Sequence, residues 1–99
     1  MTSFQGGGHR TALVAPNPLN PSGVLAFNTV KPGRVSVTMF DLQGRLVRTL
    51  MEAPYLPAGE QELRIDGLGE RGTVLPSAVY FVRVNSPDGT LTGRFAILK

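Results

Sequence analysis

From Thr11 onward, no window of ten or more residues places apolar side chains at the i, i+3, i+4, i+7 spacing of an amphipathic helix. Apolar residues come instead in short runs, several alternating with polar ones, and Gly or Pro closes each run. Twelve Gly and eight Pro among 99 residues supply that punctuation, well above the roughly 12% usual for the pair. The chain therefore reads as all-β. At 41% hydrophobic and 17% charged residues it is too apolar for a disordered tail, and its length allows one domain. No apolar run approaches the ~20 residues of a membrane-spanning helix, so no membrane insertion is expected. A domain this small buries only about 60–65% of its unfolded surface, so good strand packing or a covering partner is needed. With no Cys, no disulfide helps.

Seven strands are expected at eight-to-twelve-residue spacing. Thr11–Ala15 is stopped by Pro16-Asn17-Pro18 and Asn20-Pro21-Ser22-Gly23, a rigid connector not expected to pair as a strand. Val24–Val30 follows, with Leu25 and Phe27 apolar. Arg34–Asp41 is the clearest strand: Val35, Val37 and Met39 alternate with Arg34, Ser36 and Thr38, the pattern of a sheet with one buried face. Leu42-Gln43-Gly44 turns it into Arg45–Met51, with Val47 and Leu50 inward around a kink. A loop over Glu52–Gly59, holding Pro54 and Pro57, precedes Gln61–Asp66, where Leu63 and Ile65 alternate with Glu62 and Arg64. Ala78–Asn85 is apolar on both faces at first, as for a central strand covered on both sides. The turn Ser86-Pro87-Asp88-Gly89 returns the chain along Thr90–Leu98. Such a set fits an immunoglobulin-like antiparallel β-sandwich over residues 11–99, without the Cys-Trp-Cys framework of antibody domains. Met1–Arg10, with Gly6-Gly7-Gly8, shows neither a signal-peptide core nor a strand pattern and reads as a linker or cloning remnant.

The charge balance is +3, and the cations are scattered, so no phosphate-binding stripe forms and nucleic acid is not expected as a partner. His9, the only His, lies in the Gly-rich leader, and no Gly-x-Ser-x-Gly elbow exists. A nucleophile would lack a positioned base. One His and no Cys exclude a soft-ligand zinc site, and no cofactor is expected. Asp66 and Glu70 flank a Gly-rich turn that offers hard oxygen ligands of the kind Ca²⁺ needs, but the spacing matches no established Ca²⁺ loop and a solvated turn is the better reading. Asp41 at the head of a turn is best explained by accepting backbone N–H bonds, with Gly44 in the left-handed conformation. Arg45 and Arg83 are candidate partners for Asp41 or Asp66. Tyr80 has the setting of a corner tyrosine, its ring inward and its hydroxyl on a neighbouring loop.

Four stretches taken together carry a resemblance. They are Pro16-Asn17-Pro18 with Asn20-Pro21-Ser22, Phe40-Asp41-Leu42-Gln43-Gly44-Arg45, Asp66-Gly67 with Gly72, and Ser77-Ala78-Val79-Tyr80-Phe81-Val82-Arg83-Val84 running to Leu98-Lys99. Between Leu13 and Lys99 the chain resembles the C-terminal immunoglobulin-like modules of exported bacterial proteins. These include the type IX secretion (Por-type) sorting domains and the immunoglobulin-like domain of flagellar hook-capping proteins. It departs from them in having Ile65-Asp66-Gly67 where many relatives have Trp-Asp-Gly, and Ala78 where Gly is frequent.

The resemblance implies a non-catalytic module of a secreted or cell-surface protein, serving sorting, anchoring or assembly. Its partners would be export or anchoring machinery, or copies of itself paired edge to edge. The candidate recognition strand is Arg94-Phe95-Ala96-Ile97-Leu98-Lys99, unusually apolar to its end, and Val24–Phe27 is a second candidate edge. The competing reading is a carbohydrate- or ligand-binding accessory module of a secreted hydrolase. Exposed aromatics would carry it, and Tyr55 and Phe40 are the candidates in a chain with no Trp.

Overall fold

A computed structural model of the chain describes residues 12–20 and 22–98. Met1–Arg10, Thr11, Pro21 and Lys99, and the expectations placed on them, lie outside the described residues. The strands are β1 (Leu13–Ala15), β2 (Gly23–Thr29), β3 (Gly33–Phe40), β4 (Leu46–Leu56), β5 (Gly59–Ile65), β6 (Ala78–Ser86) and β7 (Gly89–Ile97), with one 3₁₀ turn at Glu70–Gly72. They form a three-stranded sheet in the order β1-β2-β5 and a four-stranded sheet in the order β4-β3-β6-β7. All pairings between strands are antiparallel. The expected all-β sandwich of seven strands is the fold.

Alternation decides which side chains enter the core. Val35, Val37 and Met39 of β3 and Tyr80, Val82 and Val84 of β6 point inward, meeting Leu25 and Phe27 of β2 and Ile65 of β5. Burying each such side chain contributes roughly 1.5–3 kcal/mol. Residues on the opposite face of each strand remain partly or fully exposed.

Four local expectations are corrected. Glu52–Leu56 is not loop but the continuation of β4. The β3–β4 register passes from Gly33↔Leu56 to Val35↔Ala53, so Pro54 and Tyr55 lie opposite the single residue Arg34 in a bulge. A bulged edge strand does not require the ladder donor that proline lacks. Further register shifts leave Leu50 and Val47 as extra residues, both packed against the core margin. Secondly, β6 is central in its sheet but covered on one face only: Val79 and Phe81, on the other face, are half-buried. A central position provides strand neighbours on both sides, which is separate from a second covering layer. Thirdly, β2 lies between β1 and β5, and Val24, Leu25 and Ala26 are paired on both sides, so that stretch is no edge. Fourthly, the proline-rich connector does pair at one residue. Leu19 forms a parallel bridge with Ile97 and is fully buried.

Candidate functional site

The Asp41 motif builds the β3–β4 turn. Asp41 Oδ1 accepts from Gln43 N at 3.0 Å and Arg45 N at 2.9 Å, and Arg45 Nε donates to Oδ2 at 3.0 Å. Gly44 takes the required positive φ of 83° and donates to Asp41 O at 3.0 Å. The Arg45 backbone N–H is the main reason the Asp41 carboxyl sits below its ordinary range; desolvation opposes it as the next largest influence, and the Arg45 guanidinium and the Gln43 N–H lower it further.

Asp66 and Gly67 belong to a loop that runs beside β4. Asp66 Oδ1 accepts from Arg48 Nη1 at 2.7 Å and from Leu68 N at 3.1 Å, and Arg48 also donates to Leu68 O. Glu70 Oε2 accepts from Thr49 N at 2.9 Å. Both carboxylates considered for Ca²⁺ are thus engaged by protein donors, and no group of three or more His, Cys, Asp or Glu suited to a metal occurs among the described residues. Asp66 pairs with Arg48, a partner sequence reasoning did not name. The bulges of β4, which turn Arg48 toward the sandwich margin, carry no obvious sequence signal.

Tyr80 lies near the start of β6, its ring stacked on Phe95 with centroids 6.1 Å apart. Its hydroxyl donates to Pro76 O at 2.7 Å, the geometry of a tyrosine corner, and burial raises the phenol's pKa. Pro16-Asn17-Pro18 places Leu19 against the last strand. Leu19 N donates to Ala96 O at 2.8 Å, Leu98 N to Leu19 O at 2.9 Å, and Ala96 N to Asn17 Oδ1 at 2.9 Å. Along the candidate recognition strand, Phe95 and Ile97 are therefore core residues, and Ala96 and Leu98 have backbone partners within the chain. Arg94 and Leu98 present their side chains to solvent.

The outer face of the four-stranded sheet gathers the remaining chemistry. Register aligns Leu46, Phe40, Phe81 and Arg94 across all four strands, and Thr38, Arg83 and Thr92 in the next row. The Arg83 guanidinium lies over the Phe40 ring, 4.8 Å from its centroid, so it stacks on an aromatic instead of joining Asp41 or Asp66. Beside this pair a groove of about 400 Å³ is lined by Phe40, Leu42, Phe81, Arg83 and Thr92 among others. Tyr55 is exposed at the opposite end of the β3–β4 pair from Phe40, so the two aromatics proposed for sugar binding do not share a platform. Phe81 and Arg83 were legible only as strand residues, because the face they share with Phe40 depends on register.

Two solved structures from Porphyromonas gingivalis are similar to this chain. One is dimeric latent PorU, at TM-score 0.67 and 20% identity over 90% of the chain. The other is PorZ, described as an essential bacterial surface component of the type-IX secretion system, at TM-score 0.59 and 29% identity over 89% of the chain. This chain corresponds to 9% of the length of the first and 11% of the second. No protein-family model and no curated protein matches it in sequence. The likeness to the first is one of fold alone, and it agrees with the seven-stranded β-sandwich expected from the sequence. Among the described residues no helix is long and apolar enough to cross a membrane.

Proposed function

We propose that this chain is a non-catalytic immunoglobulin-like accessory module of a bacterial protein exported to the surface or beyond, recognised by the machinery that sorts or anchors its parent. The observation that carries this reading is the 29% identity to PorZ, a type IX secretion surface component, over nearly the whole domain. The Asp41 turn, the Tyr80 corner and the capped last strand brace the folded domain. A translocon or anchoring partner would recognise its folded surface, including the exposed Arg94 and Leu98, since Phe95 and Ile97 are occupied in the core.

The test is fusion of the chain behind a reporter in a bacterium with a type IX system. Surface or extracellular reporter is expected, and retention in the periplasm with a folded domain overturns the proposal. Deleting Arg94–Lys99 is uninformative, because it removes two core residues along with any signal. Arg94→Glu with Leu98→Asp is the better variant, and it should lower export while the purified domain keeps its thermal midpoint.

A further inference from the structure

We propose that copies of this domain stack face to face, the outer surface of the four-stranded sheet of one against the outer surface of the three-stranded sheet of the next. The sandwich closes part of both edges of its larger sheet. On β7, Leu19 and Asn17 take the backbone groups of Ala96 and Leu98. On β4, Glu70 takes Thr49 N, and Gly69 packs against Val47 O. Sealed edges disfavour strand addition there, whereas both outer faces stay uncovered among the described residues.

The grooves on the two faces are flanked by unpaired charges of opposite sign around apolar centres. On the four-stranded face, Arg83 and Arg94 flank the Phe40–Phe81 pair, and the acids there are already paired, Glu52 with Arg34 at 3.3 Å and Asp41, at the rim of the groove, with Arg45 at 3.0 Å. On the three-stranded face, register sets Glu62 opposite Ala26 and Ala26 opposite Leu13, with Glu60 in the row on one side and the exposed Arg64, opposite Val24, in the row on the other, beyond the residues that line the groove. A groove of about 340 Å³ runs between Leu13 and these two acids, and Leu13 itself is 63% exposed. Among the described residues Arg94, Glu60 and Glu62 have no ion-pair partner. Leu13 and its flanking glutamates fit the aromatic groove and its flanking arginines, so the complementary surface is a second copy.

Because the two faces lie on opposite sides of the sandwich, the contact is heterologous and leaves a free face at each end. It propagates as an open stack and does not close as a dimer. Strand spacing and rise give each partner on the order of 400 Å² of contact, below a standard interface, so association is weak and grows with local concentration. The repeat along the stack is about 20 Å, twice the ~10 Å separation of packed sheets.

The experiment is sedimentation of the full chain up to about 1 mM in low salt, with two charge-reversed variants, Glu60→Arg/Glu62→Arg and Arg83→Glu/Arg94→Glu. Wild type should self-associate and lose association at high salt, where screening shortens to a few ångström. Each variant alone should associate at least about tenfold more weakly. Mixing the two should restore association, since each then meets a face of opposite sign. A wild type monomeric at 1 mM, or association unchanged in both variants, overturns the proposal. Should a variant fail to fold, the wild type alone decides by amide shifts on dilution. Changes at Leu13, Ala26, Phe81 and Arg94 support stacking, and changes confined to strand edges overturn it.

Discussion

Arg48 of β4 meets Asp66, just beyond β5, at 2.7 Å, and this contact joins the two sheets at the end where the chain does not. The strands β4 and β5 are connected directly through residues 57 and 58, so one end of this side of the sandwich is held covalently. The Arg48–Asp66 pair, with Leu68 O as a second acceptor for Arg48, holds the other. Asp66→Ala removes the carboxylate from both Arg48 and Leu68 N. Both side chains are more than a quarter exposed, so the loss should be about 1 kcal/mol, less than for a buried pair. Urea unfolding would show the lower midpoint, and hydrogen exchange should quicken first around Leu68–Thr73. An unchanged midpoint would mean the sheets close without the clasp.

The turn at Asp41 should make stability depend on acid. Its folded carboxyl lies below the unfolded aspartate value, so this contribution is complete above that value, about 3.9. It falls away as pH drops through the lower, folded value. Wild type should therefore lose stability more steeply than Asp41→Asn below about pH 4, with the Gly44 and Arg45 amide signals moving first. Parallel slopes for the two proteins between pH 5 and 2 would contradict this.

Much of the fold was legible because one physical signal repeats: period-two alternation interrupted by turn residues. It placed β3, put Val35, Val37 and Met39 in the core, and assigned Asp41 and Gly44 to a turn. It failed at Pro54, because a bulge on an edge strand accepts a residue that an unbroken ladder rejects. It also failed at Leu19, a single apolar residue between prolines that has no period to belong to, yet is wholly buried against Ile97. The outer-face cluster of Phe40, Phe81, Arg83 and Arg94 was beyond reach for another reason. Pairing between strands distant in sequence creates it, and no local pattern encodes register.

Thr29 closes β2 opposite Gly59, is 2% exposed, and leaves Oγ1 buried without a hydrogen-bond partner. An unpaired buried hydroxyl costs about 1–3 kcal/mol. Valine keeps the β-branched shape and removes the polar atom. Thr29→Val should raise stability by about 1 kcal/mol with an unchanged denaturant m-value. A lower midpoint would show that the hydroxyl is satisfied, by water or otherwise, in the folded protein.

At Gly93 the last strand passes close against the chain entering β1. It faces inward from β7, paired with Val82, and a Cβ there would collide with Ala12 O and stand 3.2 Å from Val82 Cγ1. Its need for glycine is thus one of space, unlike Gly44, where a Cβ would meet nothing within 4 Å and only the positive φ is at issue. Gly93→Ala must push β1 away from β7, costing about 1–3 kcal/mol by overpacking. Gly44→Ala strains only a surface turn, by forcing an L residue into the left-handed region, and should cost about 1–2 kcal/mol. In thermal melts the first variant should fall further, since each kcal/mol shifts the midpoint by about 4–8 °C in a domain of this size. Faster amide exchange over Leu13–Ala15 should accompany it. Equal losses in the two variants would mean that β1 is already loosely held, and that the sandwich's stability resides in β2 through β7.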